Sequence, residues 1–386
     1  MTENTNNNVS HAATPAPVMR KKFKDIEVSA LGFGGFRWPM EESNPKRIDR
    51  PRSHALVDEC FRCGINYFDT AYTYQQGDSE RFFGESLTRY PRDSYYLATK
   101  FYVVANPNVE EVFTEQLRRC QTDYFDFYLI HCMDENNMPA YMDPENGYLD
   151  YLLRQKAAGR IRYLGFSSHA EPESLRRIVD WYDGFDMAQI QLNYVDWDFL
   201  RAKEQYEILA KRGIPVWVME PLKGGRLSTL SPDATAILRE AHPEWSLSSW
   251  GMRFLQTLPG VQTVLSGMNT LEQIQDNTAT FSSPHPLSNE DLRVLFHAKD
   301  AFMQHLGVPC SECRYCCASC PAELDIPLLI RAYNELSMGG ETWRFAGLMN
   351  AKGPENCLHC NTCLTRCPQR IRIPEVLEKL AAMQAK

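Results

Sequence analysis

Nine of the thirteen cysteines in this 386-residue chain lie after residue 309, and eight of these form two runs with the same spacing. The first run reads Cys310-x2-Cys313-x2-Cys316-x3-Cys320-Pro321, and the second reads Cys357-x2-Cys360-x2-Cys363-x3-Cys367-Pro368. Three closely spaced thiolates followed by a Cys-Pro pair are typical of proteins that bind [4Fe–4S] clusters. The spacing therefore predicts two [4Fe–4S] clusters, which would carry one electron each.

The fourth cysteine of each run is expected to serve the other cluster, as is usual for pairs of this spacing. The predicted ligand sets are Cys310, Cys313, Cys316 and Cys367 for one cluster, and Cys357, Cys360, Cys363 and Cys320 for the other. Structural zinc is the alternative, although zinc sites typically use two separated cysteine pairs rather than a triple run. Cys317 is left over as a neighbour that could replace Cys316 as a ligand.

Four ionisable side chains in the first half of the chain follow short runs of β character. Asp69 ends one run with Tyr74 five residues later, and Lys100 and His131 end the next two runs. Alone, each has an ordinary explanation, as a helix cap, a packed loop residue, a solvated charge or a core histidine. Because strand ends in a parallel barrel meet at one mouth, we expect the four to converge there, where they could transfer protons.

The elements that would position these side chains alternate between strand and helix. Runs rich in β-branched and aromatic residues recur at 66–69, 95–100, 125–131, 162–167, 188–193, 216–220 and 261–266. Helical segments lie between most of them, and several end at a glycine suited to a left-handed helix terminus: Gly64, Gly159, Gly213 and Gly260. Seven or eight such units favour an α/β fold of the (β/α)8 barrel type over an open doubly wound sheet.

Three segments are predicted along the chain. Residues 1–19 are polar and are expected to form a disordered tail, and residues 20–281 would form the barrel. Residues 282–386 would form a linking helix and a small α-helical ferredoxin-like domain. Ser288-Asn289-Glu290-Asp291 resembles a capping box at the start of the linking helix.

Charge and hydropathy limit the partners of this chain. The net charge of −8 argues against nucleic acid or an anionic membrane surface as a partner. No stretch approaches 18 consecutive apolar residues, and the N-terminal residues lack the apolar core of a secretory signal. We therefore expect a cytoplasmic protein that acts on small molecules.

Seven short motifs follow one another in a recognisable order. They are 64–71 with Tyr74, Thr99-Lys100, Leu129-Ile130-His131, Gly165-Phe166-Ser167-Ser168, Gln191 with Tyr194, 220–225, and Ser266-Gly267 with Asn277. In these motifs, over about residues 22–281, the chain resembles the aldo/keto reductase superfamily. With its cysteine runs it is similar to the branch that carries a C-terminal ferredoxin-type domain.

The resemblance implies interconversion of a carbonyl and an alcohol by hydride transfer from NAD(P)H, with Tyr74 as the general acid. An ordinary tyrosine has a pKa of about 10, and Lys100 is expected to lower it by stabilising the phenolate. Asp69 would keep Lys100 charged and oriented, while His131 would position the carbonyl oxygen.

The resemblance also implies a set of nucleotide contacts. Ser167, Ser168 and Gln191 would hold the nicotinamide carboxamide, the stretches around 222–225 and 266–269 would line the phosphates, and Asp276 and Asn277 would bind the adenine end. The complete expected set is Gly35, Ser167, Ser168, Gln191, Pro221, Leu222, Gly224, Gly225, Ser266, Gly267, Asn269, Gln273, Asp276 and Asn277.

The chain departs from the family at the nucleotide. Met219 replaces an aromatic ring that usually stacks on the nicotinamide, and Gly267 and Gln273 stand where relatives supply Lys and Arg to a 2′-phosphate. Either NADP(H) or NAD(H) is therefore expected, with Lys223 or Arg226 as alternative sources of positive charge. The loop at 132–148 is expected to cover the substrate pocket, and its composition favours no substrate class.

Three functions are compatible with these features. The first is a reductase whose clusters exchange electrons with a ferredoxin or another redox partner. The second is a reductase with structural or oxygen-sensing clusters, and the third is a non-catalytic electron-transfer protein with a vestigial barrel. The complete set of Asp69, Tyr74, Lys100 and His131 favours an enzyme.

Overall fold

A computed structural model describes residues 16–304, 307–337 and 352–384. The strands are β1 (Arg20–Phe23), β2 (Ile26–Ser29), β3 (Leu31–Gly34), β4 (Met40–Glu41), β5 (Asn44–Ile48), β6 (Tyr67–Asp69), β7 (Tyr96–Phe101), β8 (Phe125–Met133), β9 (Ile161–Ser168), β10 (Met187–Gln191), β11 (Val216–Met219) and β12 (Val261–Ser266).

The α-helices alternate with these strands and then continue without them. They are α1 (Arg50–Arg62), α2 (Asp78–Leu87), α3 (Val109–Arg119), α4 (Met138–Met142), α5 (Tyr148–Ala157), α6 (Pro172–Trp181), α7 (Asp196–Phe199), α8 (Ala202–Lys211), α9 (Pro232–Ala241), α10 (Leu247–Gln256), α11 (Leu271–Ser282), α12 (Asn289–Gln304), α13 (Tyr315–Ala318), α14 (Ile326–Ser337) and α15 (Ile373–Gln384).

Eight parallel strands close into a barrel in the order β3-β6-β7-β8-β9-β10-β11-β12, and β12 pairs with β3 to complete the ring. The predicted (β/α)8 fold is confirmed. Sequence patterns had indicated only seven of these strands, and the eighth is β3. All nine residues of β8 are buried, as expected for a strand covered on both faces.

The antiparallel hairpin β1–β2 plugs the amino-terminal end of the barrel. The ring of Phe23 lies 5.0 Å from the rings of both Tyr163 and Trp217 in the barrel interior. The predicted disordered tail ends earlier than expected, because Val18 is buried and donates its backbone N–H to the carbonyl of Cys63. Residues 1–15 of that predicted tail lie outside the described residues.

Local signals at the helix ends are mostly as predicted. Gly64, Gly159 and Gly213 all have positive φ after a helix, whereas Gly260 does not, so the prediction for Gly260 is wrong. The capping box before α12 forms: the Asp291 carboxylate accepts from the Ser288 backbone N–H, and the Ser288 hydroxyl accepts from that of Asp291.

The C-terminal cysteine-rich segment has a small core of its own. The apolar faces of α14 and α15 pack together through a buried set of leucine and isoleucine residues: Leu329, Ile330, Ile373, Leu377 and Leu380. We call the described residues 307–337 and 352–384 the cluster domain. It lies against the carboxyl-terminal mouth of the barrel, where the candidate catalytic residues are found. No described helix is both long enough and apolar enough to cross a membrane.

Candidate active site and cluster sites

The four ionisable residues predicted to act together do meet at the mouth of the barrel. Lys100 is fully buried, and its Nζ lies 2.6 Å from Asp69 Oδ1 and 2.6 Å from the carbonyl oxygen of Thr70. The same nitrogen is 5.0 Å from the centre of the Tyr74 ring. The rings of Tyr74 and His131 are 6.0 Å apart.

Burial decides the protonation of the tyrosine and the histidine. It raises the pKa of Tyr74 well above its usual value, and the negative charge of Asp69 adds to the effect. It lowers the pKa of His131 well below its usual value, with Lys100 as the next cause. The direction is opposite to the predicted one, in which Lys100 lowers the pKa of Tyr74, because burial and the Asp69 charge raise that pKa in this structure.

A cleft of about 360 Å³ begins at Asp69 and Tyr74 and extends along the mouth of the barrel. Ten of the fourteen predicted nucleotide contacts line it: Pro221, Leu222, Gly224, Gly225, Ser266, Gly267, Asn269, Gln273, Asp276 and Asn277. Asp69 and Tyr74 thus share one continuous space with most of the predicted nucleotide contacts, whereas Lys100 and His131 are buried behind them and do not line the cleft.

The other four predicted contacts do not line this cleft. Gly35 packs against Phe83 and donates its backbone N–H to the carbonyl oxygen of Asp69. Ser167 Oγ accepts from the backbone N–H of Cys132 at 2.9 Å, and Ser168 Oγ donates to the carbonyl of Met133 at 2.7 Å. Both serines thus brace the end of β8. Gln191, the fourth, contacts the cluster domain.

Arg37 places a positive charge in the cleft, and it was not among the residues predicted from the sequence. Arg37 lines the cleft, its side chain passes over Gly267, and its Nη2 donates to the carbonyl of Ser311 at 2.7 Å. Lys223 is instead fully buried with Asp196 at 2.6 Å, and Arg226 donates to the carbonyl of Val308. Neither of these two residues supplies the charge at the cleft as proposed from sequence.

Two further residues that line the cleft, Glu220 and Tyr315, were not among the predicted site residues. Glu220 has a pKa raised by burial, and its Oε2 has no hydrogen-bond partner among the described residues. Tyr315 reaches the cleft from the cluster domain together with Cys313 and Pro368. The cleft is therefore covered by the cluster domain, and the prediction that the loop at 132–148 covers it is wrong.

The eight cysteines of the two runs line two separate cavities. Cys310, Cys313, Cys316 and Cys367 line one of them, and Cys320, Cys357, Cys360 and Cys363 line the other. These are the two crosswise sets predicted from the spacing, and Cys317 lines neither cavity. Cys313 also lines the catalytic cleft, so the first cavity and the cleft share a wall.

The chemistry of these cavities fits iron–sulfur clusters. Burial raises the pKa of Cys310 and that of Cys363 to about 11, and neighbouring thiolates add to the effect. Thiolates crowded in this way need a positively charged partner. Among the described residues, no three Cys, His, Asp or Glu side chains converge on a single-ion position. Four cysteines line each of the two cavities, which is the ligand number that a [4Fe–4S] cluster requires.

At Gly224 the backbones of the two domains lie close together. Gly224 has φ +67°, and a Cβ added there would lie 2.6 Å from the carbonyl oxygen of Ser311.

We expect Gly224→Ala to loosen the contact between the barrel and the cluster domain, which would be measured as faster proteolysis of the 282–308 linker. Gly225→Ala is the matched control, because Gly225 has φ +94° but nothing within 4 Å. Both variants carry backbone strain of about 1–2 kcal/mol, so the comparison isolates the contact with Ser311. Equal rates of proteolysis in Gly224→Ala and Gly225→Ala would contradict a role of this contact in docking.

Comparisons with known proteins match both parts of the chain. Residues 30–295 match the aldo/keto reductase family, and residues 309–371 match a 4Fe-4S dicluster domain. An uncharacterized oxidoreductase of Bacillus subtilis is 24% identical over 325 residues, which cover 74% of this chain and 99% of the relative. The NADH-specific methylglyoxal reductase of Escherichia coli is 25% identical over 304 residues, which cover 67% of this chain and 91% of the relative. An aldo-keto reductase from Bacillus halodurans, in its holo form, superposes with a TM-score of 0.58 at 26% identity, over 73% of this chain and 96% of that chain.

Proposed function

This chain belongs to the aldo/keto reductase family and carries a 4Fe-4S dicluster domain, and from that premise we propose that it interconverts a small carbonyl compound and its alcohol. The hydride donor is NADPH or NADH, and Tyr74 is the general acid. The observation that carries this proposal is the cleft, which joins Asp69 and Tyr74 to ten predicted nucleotide contacts.

Each side chain at the mouth of the barrel has a separate role in the proposed reaction. A reduced nicotinamide held by the residues that line the cleft would supply the hydride for the new C–H bond. Tyr74 gives its phenolic proton to the carbonyl oxygen as the C=O π bond breaks, and the phenolate left behind is stabilised by the Lys100 ammonium. Asp69 holds that ammonium in place through the 2.6 Å contact. His131 is neutral and can hydrogen-bond the carbonyl oxygen without competing for the proton.

The eight cysteines would hold two [4Fe–4S] clusters, each able to carry one electron to or from a ferredoxin or another redox partner, so that the pair would match the two electrons of one hydride. A redox role is favoured over a purely structural one by Cys313, whose side chain lines both the first cluster cavity and the catalytic cleft. A structural cluster has no need to adjoin the reacting end of the cleft.

The proposal is tested by the pH dependence of the two directions of the reaction. Because the pKa of Tyr74 is raised and that of His131 is lowered, both groups stay neutral between about pH 6 and 9. We expect kcat/KM for carbonyl reduction to be flat over this range. The reverse reaction needs the Tyr74 phenolate, so its kcat/KM should rise about tenfold per pH unit.

Anaerobic initial rates with methylglyoxal, chosen because a relative is named for it, and with NADPH or NADH would measure the forward direction. The matching alcohol with the oxidised nucleotide would measure the reverse. A loss of forward activity well below pH 9 would show that the phenol is acidic after all, and the absence of any nucleotide-dependent turnover would remove the hydride donor from the proposal.

A further inference from the structure

Gln191 is predicted to hold the nicotinamide carboxamide. In the structure its side-chain amide instead hydrogen-bonds the cluster domain. Gln191 Nε2 donates to Asp196 at 2.8 Å and to Gln369 Oε1 at 3.2 Å, which takes both of its hydrogens. Gln369 Nε2 donates back to Gln191 Oε1 at 2.9 Å. Gln369 follows Cys367-Pro368 and is almost completely buried. Its primary amide therefore makes the contacts that a carboxamide would make.

A second side chain of the cluster domain lies at the position expected for the substrate oxygen. The Tyr315 hydroxyl is 3.5 Å from Nε2 of His131, and Tyr315 lines the same cleft as Tyr74. These are the two groups expected to bind the carbonyl oxygen. Tyr315 directly precedes Cys316, and Gln369 lies two residues after Cys367, so both intruding residues belong to segments that carry predicted ligands of the first cluster.

We propose that the docked cluster domain competes with the nicotinamide and the substrate for the reacting end of the cleft, so that Gln369 and Tyr315 must withdraw before reduction. The inference rests on the proposed function and adds a coupling to it. A nucleotide that binds only when Gln369 has withdrawn has its affinity reduced by the fraction of molecules in that state. Linkage requires the reciprocal effect, in which bound nucleotide weakens the docking of the cluster domain.

Gln369→Ala removes the competing amide and should tighten NADPH and NADH binding by about tenfold, within the usual range for coupled sites. Gln369→Asn, which is one methylene shorter and remains polar, should tighten it by a smaller factor. Arg372→Gln is the control, since Arg372 is exposed on the same segment and pairs with Glu375. The dissociation constants would be measured anaerobically by fluorescence titration on the full chain, at matched iron content.

Tighter binding in both Gln369 variants, with Arg372→Gln unchanged, supports the competition. Equal or weaker nucleotide binding in both Gln369 variants overturns the proposed competition. Gln369 would then either have no effect on the bound nucleotide or stabilise it. If such variants and the wild type keep Tyr74-dependent turnover, the inference fails while the proposed function stands. No nucleotide binding to any of the proteins would overturn both.

Discussion

Replacing Tyr74 by phenylalanine is expected to lower kcat for carbonyl reduction by about 10²–10⁴-fold, the usual contribution of a general acid. The substitution removes the proton that the product alcohol needs, while the ring can keep its place 5.0 Å from Phe36. Iron content should be unchanged, because Tyr74 lines neither cysteine cavity. The measurement is an anaerobic steady-state assay together with iron analysis.

Tyr72→Phe provides a matched control in the same loop. Tyr72 is partly buried, and the guanidinium of Arg119 lies 4.4 Å from the centre of its ring, a contact that phenylalanine can also make. The control should therefore retain almost full activity. If Tyr74→Phe also retained full activity, the proton would have to come from another group, and Tyr315 and Glu220 are two candidates that line the cleft.

The barrel could be predicted from sequence because its strands and helices have periods that are local properties of the chain. The strand β3 was missed because two of its four residues are glycines, which weaken the β pattern. The structure gives the reason for Gly32. A Cβ there would lie 2.8 Å from Leu265 and 3.1 Å from Tyr67, which belong to the two neighbouring strands. That requirement comes from residues far away in the chain.

The catalytic candidates could be predicted for a similar reason, since each one follows a recognisable strand. The pKa shifts of these residues could not be predicted in the same way. A lysine beside a tyrosine suggests an acidic phenol, but the outcome depends on burial and on Asp69, which holds the lysine charge. The placement of Arg37 over Gly267 and of Lys223 beside Asp196 likewise depends on packing between distant segments.

The largest feature of the site that the sequence did not predict is the contribution of the cluster domain to the cleft. Tyr315 and Gln369 lie among the cysteines, where spacing draws attention to the thiols alone. Nothing local in either segment indicates that it contacts His131 or Gln191. Contacts between separately folded units depend on surface shape, and a single sequence carries no simple pattern for that.

Exchange of the fourth cysteine between the two runs gives the second large prediction. Cys367→Ala should reduce the iron content from about eight to about four atoms per chain. The cluster lost should be the first one, because Cys367 lines its cavity with Cys310, Cys313 and Cys316. Its thiol belongs by sequence to the second run but lies in space with the first.

Electron paramagnetic resonance of the reduced proteins separates this arrangement from the uncrossed one. The spectrum of Cys367→Ala should match that of Cys313→Ala and differ from that of Cys363→Ala. Cys317→Ala is the control and should keep both clusters, since Cys317 lines neither cavity. A Cys367→Ala spectrum that matched Cys363→Ala would mean that each run binds its own cluster.

The crossed arrangement has a mechanical consequence that an uncrossed one lacks. Cys320 and Cys367 each tie the segment before α14 or α15 to the loop of the other run, so both clusters hold the two helices together. Metal binding contributes directly to folding in domains with small cores. Loss of the first cluster should therefore also free Tyr315 and Gln369 from the barrel mouth, because both lie on segments that carry its ligands. In Cys367→Ala, where the altered residue lies two positions before Gln369, nucleotide affinity should rise along with the loss of iron.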